Sequence, residues 1–155
     1  SYVNSILELS RLESGKTQYV QEECDILQLC EKSMRFINEQ ENLCVFVTLQ
    51  TDIDRQEVQT DKRWFETLLT SILTPLENDA EHYQALVRIK KDRTKSVLCF
   101  DVINAPLAKM HFESKTSLIR HEINAHFIHH FGGIYKVQAE AAEGPTISFT
   151  IPYQR

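Results

Sequence analysis

Residues 60–78 read TDKRWFETLLTSILTPLEN. Asp61 is expected to cap a helix, its carboxylate answering the orphan amides of the first turn. Phe65, Leu68, Leu69, Ile72, Leu73 and Leu76 then recur at i, i+3, i+4, i+7, i+8 and i+11, the spacing of one apolar helix face. That face is wide enough to be the spine of a core. A second stripe, Trp64, Thr67, Ser71 and Pro75, runs along its flank. Such a flank stands half in the core and half at a groove. Two small hydroxyls and a proline offer a ligand almost nothing there.

Outward from this helix the composition is ordinary. The 155 residues suffice for one domain with a sizeable core, and the 42% hydrophobic and 25% charged contents fit a globular protein. A net charge of −5 with no basic run argues against nucleic acid or an anionic membrane as partner. No apolar run approaches the length of a membrane span, and no signal peptide is visible. Cys24, Cys30, Cys44 and Cys99 form no CxxC pair, so buried reduced thiols of a cytosolic domain are expected.

In chain order, Val3, Ile6, Leu7 and Leu9 predict a helix over 2–13 that Gly15 stops. At about three turns it is marginal alone and expects a partner, as the end of a longer helix in a parent protein would. A short strand is expected at 17–21. A helix follows over 25–38, with Ile26, Leu29, Cys30, Ser33, Phe36 and Ile37 inward. Residues 43–49 are rich in β-branched and aromatic types and read as a strand, with another short one around Val58. Residues 85–91 and 95–103 form a hairpin across the turn signal DRTK, and 104–115, containing Pro106, read as a loop. The last helix spans 116–131, apolar at Leu118, Ile119, Ile123, Phe127 and Ile128, and Gly132-Gly133 ends it. Strands at 134–139 and 146–151 close the chain around Glu143-Gly144-Pro145. The expected fold class is α+β, a two-layer sandwich of one mixed, mostly antiparallel sheet with helices on one face.

The order of these elements resembles the catalytic, ATP-binding domain of bacterial sensor histidine kinases, in the GHKL or Bergerat-fold group. ILELSRLESGK (6–16) is similar to the end of a dimerisation helix entering that domain. TDKRWFETLLTSILTPLE is similar to its N-box helix, FGGIYKV (131–137) to the H-G-G-x-I-x-V exit of its final helix, and EGPTISFTIP (143–152) to its terminal strand. The resemblance implies residues 1–15 as the end of a dimerisation helix with its linker, and 16–155 as the ATPase-like domain. It implies a cytoplasmic two-component signalling protein, with the phosphoacceptor histidine on an earlier dimerisation helix.

The nucleotide motifs depart from the family pattern. Ser71 and Pro75 stand where the family has two N-box asparagines, the second of which helps hold Mg²⁺ on the triphosphate. Serine still accepts a hydrogen bond, but proline supplies no ligand, and its ring is expected to kink or end the helix. Asn104, Pro106 and Ala108 stand at the D-x-G-x-G motif that binds adenine. Asn104 keeps an acceptor, while Pro106 and Ala108 lose the freedom of glycine. Residues 109–115 are short for the family's phosphate lid, and 117–120 lack the G-x-G that precedes the last helix. Lys109, Lys115 and Arg120 are expected to be solvated near a helix start.

The resulting reading is a pseudo-kinase with no catalytic residue, no metal and no cofactor. It acts through the dimerisation helix or other domains of its parent, through a response-regulator receiver domain, or as a homodimer of the full-length protein. Val3, Ile6, Leu7 and Leu9 are the expected self-contact. The alternative is a divergent, active kinase that binds ATP and Mg²⁺ through Asn104, Ser71 and the basic loop. A third reading reuses the vacated groove for a small ligand. His126 and His130 have a zinc-like i, i+4 spacing without an evident third ligand, so the histidines at 121, 126, 129 and 130 are expected at the surface or at the helix C-terminus. Trp64 is expected to be a half-buried packing residue.

Overall fold

The computed structural model describes residues 7, 15, 17–75, 81–109 and 115–153. The expected helix over 2–13, with Val3, Ile6 and Leu9, lies outside the described residues apart from Leu7, which is exposed (54%). Leu76 also lies outside them. The elements run β1 (Glu22–Asp25), α1 (Ile26–Asn38), a 3₁₀ turn (Glu41–Leu43), β2 (Val45–Thr51), β3 (Glu57–Thr60) and α2 (Lys62–Leu73). They continue with β4 (Tyr83–Asp92), β5 (Val97–Ile103), α3 (Pro106–Lys109), α4 (Lys115–His130), β6 (Tyr135–Gln138) and β7 (Thr146–Pro152).

The main sheet is five-stranded, ordered β2-β4-β5-β7-β6, parallel between β2 and β4 and antiparallel elsewhere. Period-two alternation gives it one buried face: Val87 and Ile89 on β4, Leu98, Phe100 and Val102 on β5, Ile147, Phe149 and Ile151 on β7. The helices cover that face, and the α+β expectation holds. Phe65 of α2 stands edge-on to Phe100 (6.0 Å) and Phe149 (6.3 Å), which stack on each other at 4.7 Å. Phe65, Leu68, Leu69, Ile72 and Leu73 are all buried, as their spacing requires.

Turn chemistry matches the sequence at two joints. Asp92 Oδ1 accepts from the amides of Thr94 and Lys95 (both 3.0 Å) in the β4–β5 turn. Gly132 (φ +86) and Gly133 end α4 with amides donating to His129 O and Ile128 O, and a Cβ on Gly133 would stand 1.9 Å from the Thr150 carbonyl oxygen. Only glycine lets α4 turn so close to β7.

Several expectations are corrected. Residues 17–21 are not a strand; the strand begins at Glu22 and pairs antiparallel with β3 in a separate two-stranded ribbon. Residues 104–115 are not wholly loop, because Pro106 opens the short helix α3. Proline suits a first helical turn, where its missing N–H and fixed φ cost nothing. Phe36 (56% exposed) and Leu118 (44% exposed) face outward. On α4 the inner positions are instead Ser117, His121, Asn124, Phe127 and Ile128, so the first half of its buried face is polar.

Burial also sets thiol reactivity. It pushes the Cys24 thiol up to about 11 and the Cys30 thiol up to about 12, whereas Cys44 is half-buried. Alkylation of native protein at pH 8, read by peptide mass spectrometry, is expected at Cys44, with Cys24 and Cys30 reacting only after denaturation. Early modification of Cys30 would contradict the packing of α1.

Candidate functional site

The flank of α2 leads to the C-terminus of that helix. As the proline dictates, α2 ends at Leu73 and Thr74 is extended (φ −101, ψ 120) ahead of Pro75. The last carbonyls of a helix have no donor of their own and carry the negative end of its dipole. Here one side chain answers them. The Arg120 guanidinium, from α4, donates through Nη2 to Ser71 O and to Thr74 O (2.9 Å), and through Nε to Ser71 Oγ (3.3 Å). Burial pushes its pKa down to about 10, so it remains a cation at neutral pH. Arg120 is therefore not the solvated helix-start residue expected from its position in the chain.

A polar chain continues from Ser71. Asn124 Nδ2 donates to Ser71 Oγ (3.4 Å) and to the Tyr135 hydroxyl (3.2 Å), which lies 2.7 Å from His121 Nδ1. Burial holds the Tyr135 phenol well above its ordinary range, with Asn124 and Arg120 pulling the other way. Tyr135 thus keeps its proton and joins α4 to β6. This network accounts for two polar residues on the inner face of α4: buried Asn124 bonds Ser71 and Tyr135, and buried His121 pairs with Tyr135. Outside it, a groove of about 580 Å³ runs between α1, α2 and α4, with Thr67, Thr70, Ser71 and Thr74 along its floor and Phe36 and Ile123 among its walls.

The second motif is dispersed differently. Asn104 is left-handed (φ 57), and its Nδ2 donates to Gln84 O (3.3 Å). Its Oδ1 lies where a Cβ on Gly144 (φ +120) would intrude to 2.2 Å. The carboxamide is thus taken up by the start of β4 and the β6–β7 loop. Pro106 and Ala108 are buried in α3, which packs on α2. Lys109 pairs with Glu81, and Lys115 is exposed at the start of α4. Ser71 and Pro75 thus share the end of α2 with Arg120, while Asn104 is engaged elsewhere.

Trp64 is half-buried, as expected, stacked on Phe127 (6.3 Å). One histidine is not the surface or helix-terminal residue expected: His121 is buried against Tyr135, whereas His126 and His130 are exposed and pack on Tyr19 (ring centroids 6.0 and 4.5 Å). Among the described residues no three His, Cys, Asp or Glu side chains gather as a metal site, and no helix is long and apolar enough to cross a membrane.

No family model matches the chain. Solved structures do. The Acinetobacter baumannii histidine kinase AdeS superposes with a TM-score of 0.70 at 13% identity, covering 99% of this chain and 77% of that one. The catalytic domain of histidine kinase ThkA gives 0.68 at 15% identity, covering 88% and 99%. The fold is that of the histidine kinase catalytic domain. Full-length ShkA, solved in complex with AMPPNP, gives 0.75 at 17% identity over 98% of this chain and 35% of that one. A curated relative, hybrid signal transduction histidine kinase B of Dictyostelium discoideum, is 25% identical over 97% of this chain. The chain spans only 9% of that protein's length.

Sequence reasoning missed Asn124 and Tyr135 and took Arg120 for a solvated residue. The available signal was the polar series Ser117, His121 and Asn124 at i, i+4 and i+7 on a helix that otherwise packs.

Proposed function

We propose that this chain is a signal-transduction module with the histidine kinase catalytic fold that does not bind ATP–Mg²⁺ and acts by contacts with other protein domains. The observation that carries this reading is the Arg120 guanidinium bonded to Ser71 and Thr74 at the end of α2. The resemblance assigns that end of the helix to a metal held on a triphosphate. A fixed cation repels Mg²⁺, Ser71 Oγ is already engaged, and Pro75 has no ligand to give. The donor set does not fit the metal. At the second motif, α3 buries Pro106 and Ala108 in a helical turn where the family needs glycine. Partners on this reading are other domains of a larger cytoplasmic chain, including a receiver domain.

A divergent kinase that binds ATP is the second reading, and one observation favours it: a guanidinium is also an anion partner. It requires Arg120 to leave the carbonyls of Ser71 and Thr74. The two readings separate in a thermal-shift series with millimolar ATP or ADP and Mg²⁺. The expected result is no change in midpoint. A ligand present at about one hundred times its Kd stabilises by roughly 2.7 kcal/mol, or several degrees, so micromolar binding is unmistakable. A rise of that size, enhanced in Pro75→Asn, would move the chain to the second reading.

A further inference from the structure

Residues 17–21 belong to no helix or strand, and Gln18, Val20 and Gln21 are exposed. Tyr19, in their midst, is packed. Its ring meets those of Trp64 edge-on at 5.4 Å, His130 at 4.5 Å, Phe127 at 5.7 Å and Phe131 at 5.7 Å, and its hydroxyl lies 2.8 Å from His126 Nδ1. The next residue is held as well, because the Val20 amide donates to Asp61 Oδ2 (2.7 Å). The same carboxylate caps α2 through Oδ1, accepting from the Trp64 amide at 3.1 Å. One irregular segment is therefore docked on the cap of α2 and on α4, with Gln21 Nε2 also donating to Gln59 Oε1 (3.5 Å), and with no sheet pairing of its own.

We infer that residues 17–21 are a docked strap, with Tyr19 as its pin, and that undocking this strap is a conformational step built into the domain. The strap's receptor is arranged for release without unfolding. His126 and His130 are exposed and Trp64 and Phe131 half-buried, with buried Phe127 beneath them, so freeing Tyr19 opens the edge of the ring cluster over Phe127 and leaves the Phe65–Phe100–Phe149 stack intact. The inference does not depend on whether nucleotide binds.

The chain carries one tryptophan, Trp64, and it touches the pin, so its fluorescence reads the strap directly. In Tyr19→Ala, a red shift of Trp64 emission is expected. Amide exchange across 17–21 should rise about tenfold or more while β5 and β7 exchange as in the wild type. Tyr19→Phe, which keeps the ring but loses the bond to His126, is expected to fall between the two. Unchanged exchange at 17–21 in Tyr19→Ala would overturn the inference, since the bonds to Asp61 and Gln59 would then hold the segment. Parallel loosening of β5 and β7, or failure of Tyr19→Ala to fold, would overturn it too, by making Tyr19 a core residue.

Discussion

Arg120→Ala is expected to lower stability by about 2–3 kcal/mol, a fall in thermal midpoint of roughly 5–10 °C for a domain of this size. Two effects oppose each other. Removing the guanidinium relieves the cost of keeping a charge out of water, the same cost that holds its pKa down at about 10. It also strips the Ser71 and Thr74 carbonyls at the end of α2 of their charged donor, and Ser71 Oγ of one of its two. The second effect wins, because truncation leaves acceptors at the negative end of the helix dipole without their cation. Arg120→Met separates bonding from packing: it keeps most of the apolar stem and should be nearly as unstable as the alanine variant. Arg120→Lys, a single ammonium in place of a planar fork, should recover part of the loss. A stability for Arg120→Ala within about 0.5 kcal/mol of wild type would make the guanidinium no more than a surface group.

The second large effect is expected in the core. Phe65→Ala should cost about 3–5 kcal/mol, a large part of the roughly 5–15 kcal/mol that holds a domain together. Phe65 is fully buried and fills the angle between α2 and the stacked Phe100–Phe149 pair. Its removal leaves a hole that backbone on neither side can close. Urea denaturation should show a lower midpoint with an unchanged slope. Phe36→Ala is the control. The sequence assigns Phe36 and Phe65 alike to inward helix faces, yet Phe36 is 56% exposed, so its loss should stay near 0.5 kcal/mol. Equal costs at the two positions would contradict the orientation of α1.

The contrast between Phe65 and Phe36 marks how far periodicity reaches. On α2 six apolar positions agree on one face, and the five that are described are all buried. On α1 the face that packs is turned from the stripe, burying Leu27 and Met34 and leaving Phe36 out, and nothing local says which edge meets solvent. On α4 Leu118 turns out to solvent and Ile119 and Ile123 are only half-buried, while Ser117, His121 and Asn124 are buried, because hydropathy alone cannot credit a polar side chain that finds a buried partner. Pro106 reads as loop because a proline both breaks helices and begins them, and its own chemistry is the same in either place.

The sequence by itself determined the α+β class, the spine helix and its cap at Asp61, the end of that helix before Pro75, and the glycine exit of α4. Each follows from chemistry within a few residues: side-chain period, a capping carboxylate, a ring that removes an amide, a residue without a Cβ. On the reading proposed above, Ser71 and Pro75 stand where histidine kinases carry asparagines. Only the tertiary structure decided what stands beside them. Arg120 is 49 residues from Ser71, and Tyr19 is 107 from His126, so no local rule links either pair. Packing α4 beside α2 puts a guanidinium on the carbonyls of Ser71 and Thr74, because the end of a helix must find a donor wherever the fold can supply one.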